Sequence, residues 1–246
     1  MKTPSLLRCS VSIAVVIVAA VANSARADIS PEAMALAKAI SAKLAPARTI
    51  QLKASHQIDP ALSASTKLNQ GALTITVKRP NQCYVLQPAG AETRELAYDG
   101  RTLSLIQPEL KVHSLETLKA GTIEQFANAM NERFGFRPPV AELLASDLPG
   151  ELFINATSAE VAGKEWVGFT RCERLHIEQD GLIGDIWVAI KDKLPRRMML
   201  TFTGMKTQPR WDIRLTKWKL DASINETLFT KRAGPDSQLT PMVKSR

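Results

Sequence analysis

The chain has 246 residues, 45% of them hydrophobic and 23% charged, with a formal net charge of +8. That balance suits a folded protein with a sizeable core and excludes a disordered or fibrous chain. The Lys and Arg side chains are dispersed, without the clustered cations and interleaved aromatics of a nucleic-acid surface, so nucleic acid is not an expected partner.

At the N-terminus, Lys2 and Arg8 precede an uncharged apolar run from Val11 to Ala22, and a polar stretch ends at Ala25-Arg26-Ala27. This is the three-part layout of a signal peptide, residues 1–27, with cleavage expected between Ala27 and Asp28. The run falls short of the roughly 20 residues that span a bilayer. No later segment is long enough either, so no transmembrane segment is expected after cleavage. Cys9 precedes the apolar run and follows Arg8, which argues against lipidation. Export to the periplasm is therefore the expectation. The remaining chain has 29 basic against 24 acidic side chains, a mild +5. Its length suits a single domain, expected over 28–232, with a flexible tail over 233–246.

Ser30 as N-cap, Pro31 at the first helical position and Ala33, Ala37, Ile40 and Leu44 on one face predict a helix that Pro46 stops. From Thr49 the period changes to two. Ile50, Leu52 and Ala54, then Leu73, Ile75 and Val77, mark half-buried antiparallel strands. Short strands follow at Tyr84–Leu86 and Glu95–Tyr98. Asp99-Gly100 then predicts a tight hairpin into Thr102–Ile106, because Gly accepts the positive φ such turns need. A further short strand is expected around Val112.

A helical insertion is expected at about 122–148. Thr122 and Gln125 form a capping box, and Ile123, Phe126, Ala127, Met130 and Phe134 recur at helical spacing. A shorter helical segment carries Leu143 and Leu144, and Leu148-Pro149-Gly150 is expected to end it. Strands resume from Trp166 to Ile177, turn at Gln179-Asp180-Gly181, and continue over 183–190, 197–203 and 211–220, with a short last segment at Leu228-Phe229. Over 211–220 the apolar phase runs Trp211, Ile213, Leu215 and then switches to Trp218, Leu220, which predicts a bulge in a curved sheet. The strand read from Trp166 carries Arg171 and Glu173 on an otherwise apolar face, so a phase slip or an incompletely apolar cavity is expected there.

Compact catalytic signatures are missing: there is no G-x-S-x-G elbow, H-E-x-x-H helix, Walker loop, G-x-G-x-x-G turn or C-x-x-C pair. His56, His113 and His176 stand singly on separate strands, and Asp185 reads as solvent-facing. No metal, cofactor or catalytic residue is expected, and a hydrolase is the least favoured reading. Cys83 and Cys172 reach a compartment that permits disulfides, and a bridge and a pair of buried apolar thiols remain equally open. Trp166, Trp187, Trp211 and Trp218 either fill the core of the sheet or line a cavity, with core filling favoured.

Arg79-Pro80-Asn81, Tyr98-Asp99-Gly100-Arg101-Thr102-Leu103, Pro139–Leu144, Ile186-Trp187-Val188, Leu194-Pro195-Arg196, Trp218-Lys219-Leu220 and Leu228-Phe229-Thr230 carry a resemblance that spans nearly all of the chain from Ile29 to Arg232. The sequence resembles a family of predicted periplasmic bacterial proteins, domain of unknown function 2092. The order of its elements is similar to that of the periplasmic lipoprotein carriers LolA and LolB. The resemblance implies an α+β, mainly β fold: a strongly curved antiparallel half-barrel sheet with a helical lid. It further implies a non-enzymatic protein that binds or carries a lipid or an acylated polypeptide. The expected cavity and lid residues are Phe126, Met130, Phe134, Leu143, Leu144, Trp187 and Trp211. The alternative is an envelope protein-interaction module with a filled core.

Overall fold

In the computed structural model, residues 27–62, 69–136, 138 and 140–242 are described. The expected signal peptide lies outside them except for Ala27. Strand β1 (Asp28–Ile29) leads into helix α1 (Pro31–Leu44), where the Ser30 hydroxyl accepts the Ala33 N–H at 3.1 Å and Ala33, Leu36, Ala37, Ile40 and Leu44 are buried. Strands β2 (Thr49–Ile58), β3 (Gln70–Lys78), β4 (Gln82–Gln87), β5 (Arg94–Tyr98), β6 (Thr102–Gln107) and β7 (Val112–Thr117) follow as an antiparallel meander. Helix α2 (Ile123–Phe134), a 3-10 turn (Glu142–Leu144) and helix α3 (Leu148–Phe153) interrupt the strands. A second meander contains β8 (Ala156–Val167), β9 (Thr170–Gln179), β10 (Leu182–Ala189), β11 (Pro195–Thr201) and β12 (Arg210–Leu220), and β13 (Gln238–Leu239) closes the described chain.

The thirteen strands among the described residues form one curved, unclosed sheet in the order β1-β8-β9-β10-β11-β12-β2-β3-β4-β5-β6-β7-β13. The two meanders join where β12 pairs with β2. The parallel pairs β1–β8 and β13–β7 flank an otherwise antiparallel sheet. The helices cover its inner face, and one continuous apolar cluster runs from α1 and α2 to Ile50, Leu52, Ile75, Leu175, Ile186, Val188, Ile213 and Leu215 on the strands. This is the α+β, mainly β fold with a curved sheet and helical cover that the sequence resemblance implies.

Several local readings hold. Gly100 and Gly181 take positive φ in the two expected hairpin turns, and the Asp99 carboxylate accepts the N–H groups of Arg101 and Thr102. The register of β12 against β2 shifts between Thr216 and Lys219, with Lys217 at positive φ, where the apolar phase switches.

Others need correction. The stretch from Trp166 to Ile177 is not one strand: Gly168, at φ +57°, and Phe169 form a two-residue hairpin turn between β8 and β9. The reversal takes Val167 and Phe169 off that strand, while Arg171 and Glu173 remain on β9 in alternation with the buried Leu175 and Ile177, on its part nearer the turn. Leu148-Pro149-Gly150 begins a helix instead of ending one, because Asp147 caps it and Pro is suited to the first turn. Asp185 is 4% exposed and buried on the sheet, bonded to His176 Nδ1 at 2.8 Å and to Arg174 at 3.3 Å. In the described part of the expected tail, Gln238 and Leu239 pair with β7 and Ser237 lies 2.9 Å from His113.

Candidate functional site: the helix-covered inner face

Helix α2 starts where the Thr122 hydroxyl accepts the Gln125 N–H and ends at Gly135 in the left-handed conformation. Its apolar stripe of Ile123, Phe126, Ala127, Met130 and Phe134 lies wholly against the inner core, as do Leu143 and Leu144 of the 3-10 turn. Of the seven side chains expected to line a cavity, the structure brings Phe126, Met130, Phe134, Leu143 and Leu144 into one cluster, with Trp211 packed at its margin. Trp187 is elsewhere. It packs with Cys172 and Ala189 in a separate cluster, beneath the Arg197 guanidinium at 4.6 Å from its ring centroid. Since β10 alternates its side chains between faces, Ile186 and Val188 enter the inner core and Trp187 points outward.

The layer is tied to the sheet by polar groups that the periodicity of the sequence does not reveal. Tyr98, fully buried on β5, stacks on Phe126 with ring centroids 4.2 Å apart. Its hydroxyl donates to the Leu118 carbonyl at 2.7 Å and accepts the Ala120 N–H at 3.0 Å. Burial pushes this phenol up to about 12, so it stays protonated and able to donate. Asn81 donates to the Ala120 carbonyl at 2.7 Å, fixing the same entry segment of α2. The Asn81 amide lies so close to Gly100 that a Cβ there would stand 2.7 Å from it, which gives this glycine a packing role beside its turn role.

Beside the same entry to α2, Arg79 reaches the Leu44 carbonyl of α1 and the Ser146 hydroxyl, while Glu124 in the first turn of α2 accepts the Ser146 N–H. Burial lowers the Arg79 guanidinium from its ordinary value, and the Glu124 charge opposes that shift. Burial also works against the Glu124 carboxylate. The backbone N–H groups of Glu124 and Ser146 outweigh it and hold its pKa below the ordinary 4.5. Two of the motifs that carry the family resemblance, Arg79-Pro80-Asn81 and Tyr98-Asp99-Gly100-Arg101, thus supply groups that anchor the helical layer. From the sequence, Arg79 reads as a solvated strand-end charge. No local signal marks it, because its partners on α1 and beyond α2 are distant in sequence.

The side chains of the apolar cluster are buried from solvent. Two open depressions lie among the described residues, away from this cluster. One, of about 500 Å3, lies between Pro46, Arg48, Thr49 and the Asp221–Ser223 turn, and another, of about 290 Å3, lies beneath Lys231 to Ser237. No group of three or more His, Cys, Asp or Glu side chains among the described residues is placed to hold a metal. Cys83 and Cys172 are buried free thiols in separate clusters, and burial pushes Cys83 up to about 12. No helix among the described residues is long and apolar enough to cross a membrane.

No curated protein matches the chain. Among solved structures, an uncharacterized conserved protein from Thermus thermophilus is similar with a TM-score of 0.52 at 9% identity, covering 85% of this chain and 98% of that one. Lipoprotein LppX from Mycobacterium tuberculosis matches with a TM-score of 0.47 at 11% identity, covering 78% and 97%. A LolA superfamily protein from Nitrosomonas europaea matches with a TM-score of 0.37 at 11% identity, covering 82% and 99%. The first of these likenesses is one of fold and carries no chemistry. The model of one family matches residues 33–242, most of the chain, and the chain belongs to it: the predicted periplasmic proteins of DUF2092.

Proposed function

We propose that the chain is a non-enzymatic periplasmic protein that binds or carries a hydrophobic group, a lipid or an acylated polypeptide, between the inner face of its sheet and the α2–α3 layer. The observation that carries this reading is the composition of that layer. Phe126, Met130, Phe134, Leu143 and Leu144 present one unbroken apolar surface to the sheet, while polar anchors hold the segments beside the entry to α2. Such a layer exchanges its contacts for those of a ligand without stranding a buried charge. Met130 adapts to a varied apolar neighbour.

The magnitudes are compatible. Exposing five such side chains costs about 10 kcal/mol at ~2 kcal/mol each, and an acyl chain of about fourteen methylenes regains roughly as much at ~0.8 kcal/mol per CH2. In this reading the packed apolar cluster is the unloaded state, since an empty apolar cavity in its place would itself be costly. The ligand-facing residues are then Phe126, Met130, Phe134, Leu143, Leu144 and Trp211. Trp187 has no part in it.

Native mass spectrometry of protein purified from the periplasm tests the proposal. The expected result is an adduct of lipid mass that leaves on denaturation, together with uptake of a fluorescent fatty-acyl probe that Met130→Glu weakens. A bare protein with no probe uptake would overturn it.

A second reading is favoured by a different observation. Strand β1 covers only Ser158 and Ala159 of β8, so beyond them the outer edge of β8 has no strand partner among the described residues. An envelope partner that adds a strand there would make the chain an interaction module.

A further inference from the structure

The β8–β9 hairpin ends in an exposed aromatic pair that the apolar interior does not use. The last register pair of β9 with β10 is Cys172 with Ala189, and the β8–β9 ribbon continues beyond it to Val167 and Thr170. At this tip Phe169 is fully exposed and Trp166 is 63% exposed. Trp166 faces Arg171 across the hairpin, the guanidinium lying 5.6 Å from its ring centroid. The two-residue turn leaves no groove around these rings, so they form a convex knob. A folded protein gains nothing internally by presenting two aromatic rings this way.

The charges around the tip are asymmetric. The adjoining β10–β11 turn is tied to it by the Ile190 N–H, which donates to the Arg171 carbonyl at 3.0 Å. Within this neighbourhood each acid is already engaged: Glu165 with Arg174 and the Trp187 indole, Glu173 with Lys193, and Asp192 with Arg196. Lys164, Arg171 and Lys191 are exposed and have no ion pair among the described residues. The surplus is therefore cationic and surrounds the aromatic knob.

From this geometry we infer that the β8–β9 hairpin tip is a membrane-docking element, which inserts Phe169 and Trp166 at the headgroup level of an anionic bilayer while Lys164, Arg171 and Lys191 contact the headgroups. A convex tip suits a deformable surface better than a preformed pocket. The indole of Trp, apolar with one polar edge, suits the interface between headgroup and acyl chain. The Arg171 guanidinium over Trp166 shields one face of the ring in water. Apolar insertion and cationic attraction act together in such peripheral binding. This surface is separate from the inner face and does not depend on that face holding a ligand.

The test uses full-chain expression, purification from the periplasm and co-sedimentation with vesicles of phosphatidylethanolamine mixed with phosphatidylglycerol, alongside vesicles of phosphatidylcholine alone. The expected result is binding to the anionic vesicles that weakens as salt is added. Phe169→Ser and Trp166→Ser should each weaken it by roughly tenfold or more. A triple variant, K164E with R171E and K191E, should lose the preference for anionic vesicles. Because Phe169 touches solvent on all sides, Phe169→Ser should unfold at the same temperature as the parent, which separates lost docking from lost folding. Binding that these substitutions leave unchanged would overturn the proposal, as would no vesicle binding by the parent. A dimer that F169S converts to monomer, without any vesicle binding, would overturn it in favour of contact between two copies.

Discussion

The inner face of the sheet is one core from end to end, but its outer face is finished in two different ways. Over β3 to β6, the chain after β12 returns as a strap. Phe229 is buried against Tyr84 and Ala97, with Leu86, Ile224 and Leu228 around it. Ion pairs of Glu226 with Lys78 and of Arg232 with Asp99 flank this contact. Over β8 to β12 no such strap lies among the described residues. There the cover consists of long side chains paired across strands: Glu165, Arg174, His176 and Asp185 in one network, and Arg197 between Asp212 and the Trp187 ring. The contrast shows that a curved sheet whose inner face is fully committed can solvate or bury its back independently in each half. The strapped half gains area. The open half keeps a surface of charges and leaves its far hairpin free to meet something else.

The largest effect that breaks this comparison is expected at the strap. Phe229→Ala removes the one aromatic that joins the C-terminal segment to the sheet. It should cost about 3–5 kcal/mol in urea unfolding, as for other fully buried phenylalanines. If the strap were merely draped, the loss would be under about 1 kcal/mol, and the two halves would be alike in resting on the inner core alone.

In the open half the corresponding substitution is Asp185→Ala, which strands the partly buried His176 and Arg174. The expected loss is about 2 kcal/mol, less than at Phe229, because both partners retain access to water. A double-mutant cycle with His176→Ala measures the coupling directly, with at least about 0.5 kcal/mol expected. Additive losses would mean that the network is an accident of proximity.

These two sites also mark what the sequence did and did not disclose. The hairpins at Asp99-Gly100 and Asp180-Gly181, the caps at Ser30 and Thr122 and the bulge at Lys217 were legible because each depends on neighbours within a few residues. The Gly168-Phe169 turn was missed although Gly in the first loop position is a recognised hairpin signal, because the apolar residues on either side ran on without a break in pattern. The short strand segment expected at Leu228-Phe229 is instead the end of a 3-10 turn (Glu226–Leu228), and Phe229 was not legible as an anchor because its partners lie on β4 and β5. Asp185 looked solvent-facing because strand alternation shows which face a residue takes, not whether that face is covered. For the candidate site, the apolar stripe of α2 was readable at 3.6-residue spacing. The anchors Tyr98, Asn81, Arg79 and Glu124 were not, because each acts on backbone far along the chain.

The smallest effect, and the finest test of the strap, is its dependence on pH through Asp99. Burial alone would raise this carboxyl. The N–H groups of Thr102 and Arg101, and then Arg232 of the strap, more than reverse that and hold it below its ordinary value of 3.8. A depressed acid stabilises the folded chain fully above its unfolded value and loses that contribution as the pH falls through the folded one. The strap should therefore be tied at neutral pH and loosen only below about pH 3.8. Because Arg232 is partly exposed, the pair itself contributes under about 1 kcal/mol, and most of the acid sensitivity belongs to the turn. Asp99→Asn should flatten the fall in urea midpoint across that range, while Arg232→Gln should flatten it only slightly. If R232Q had as large an effect as D99N, the strap and not the hairpin would be what the Asp99 charge holds, and the strapped half would depend on electrostatics as much as the open half does.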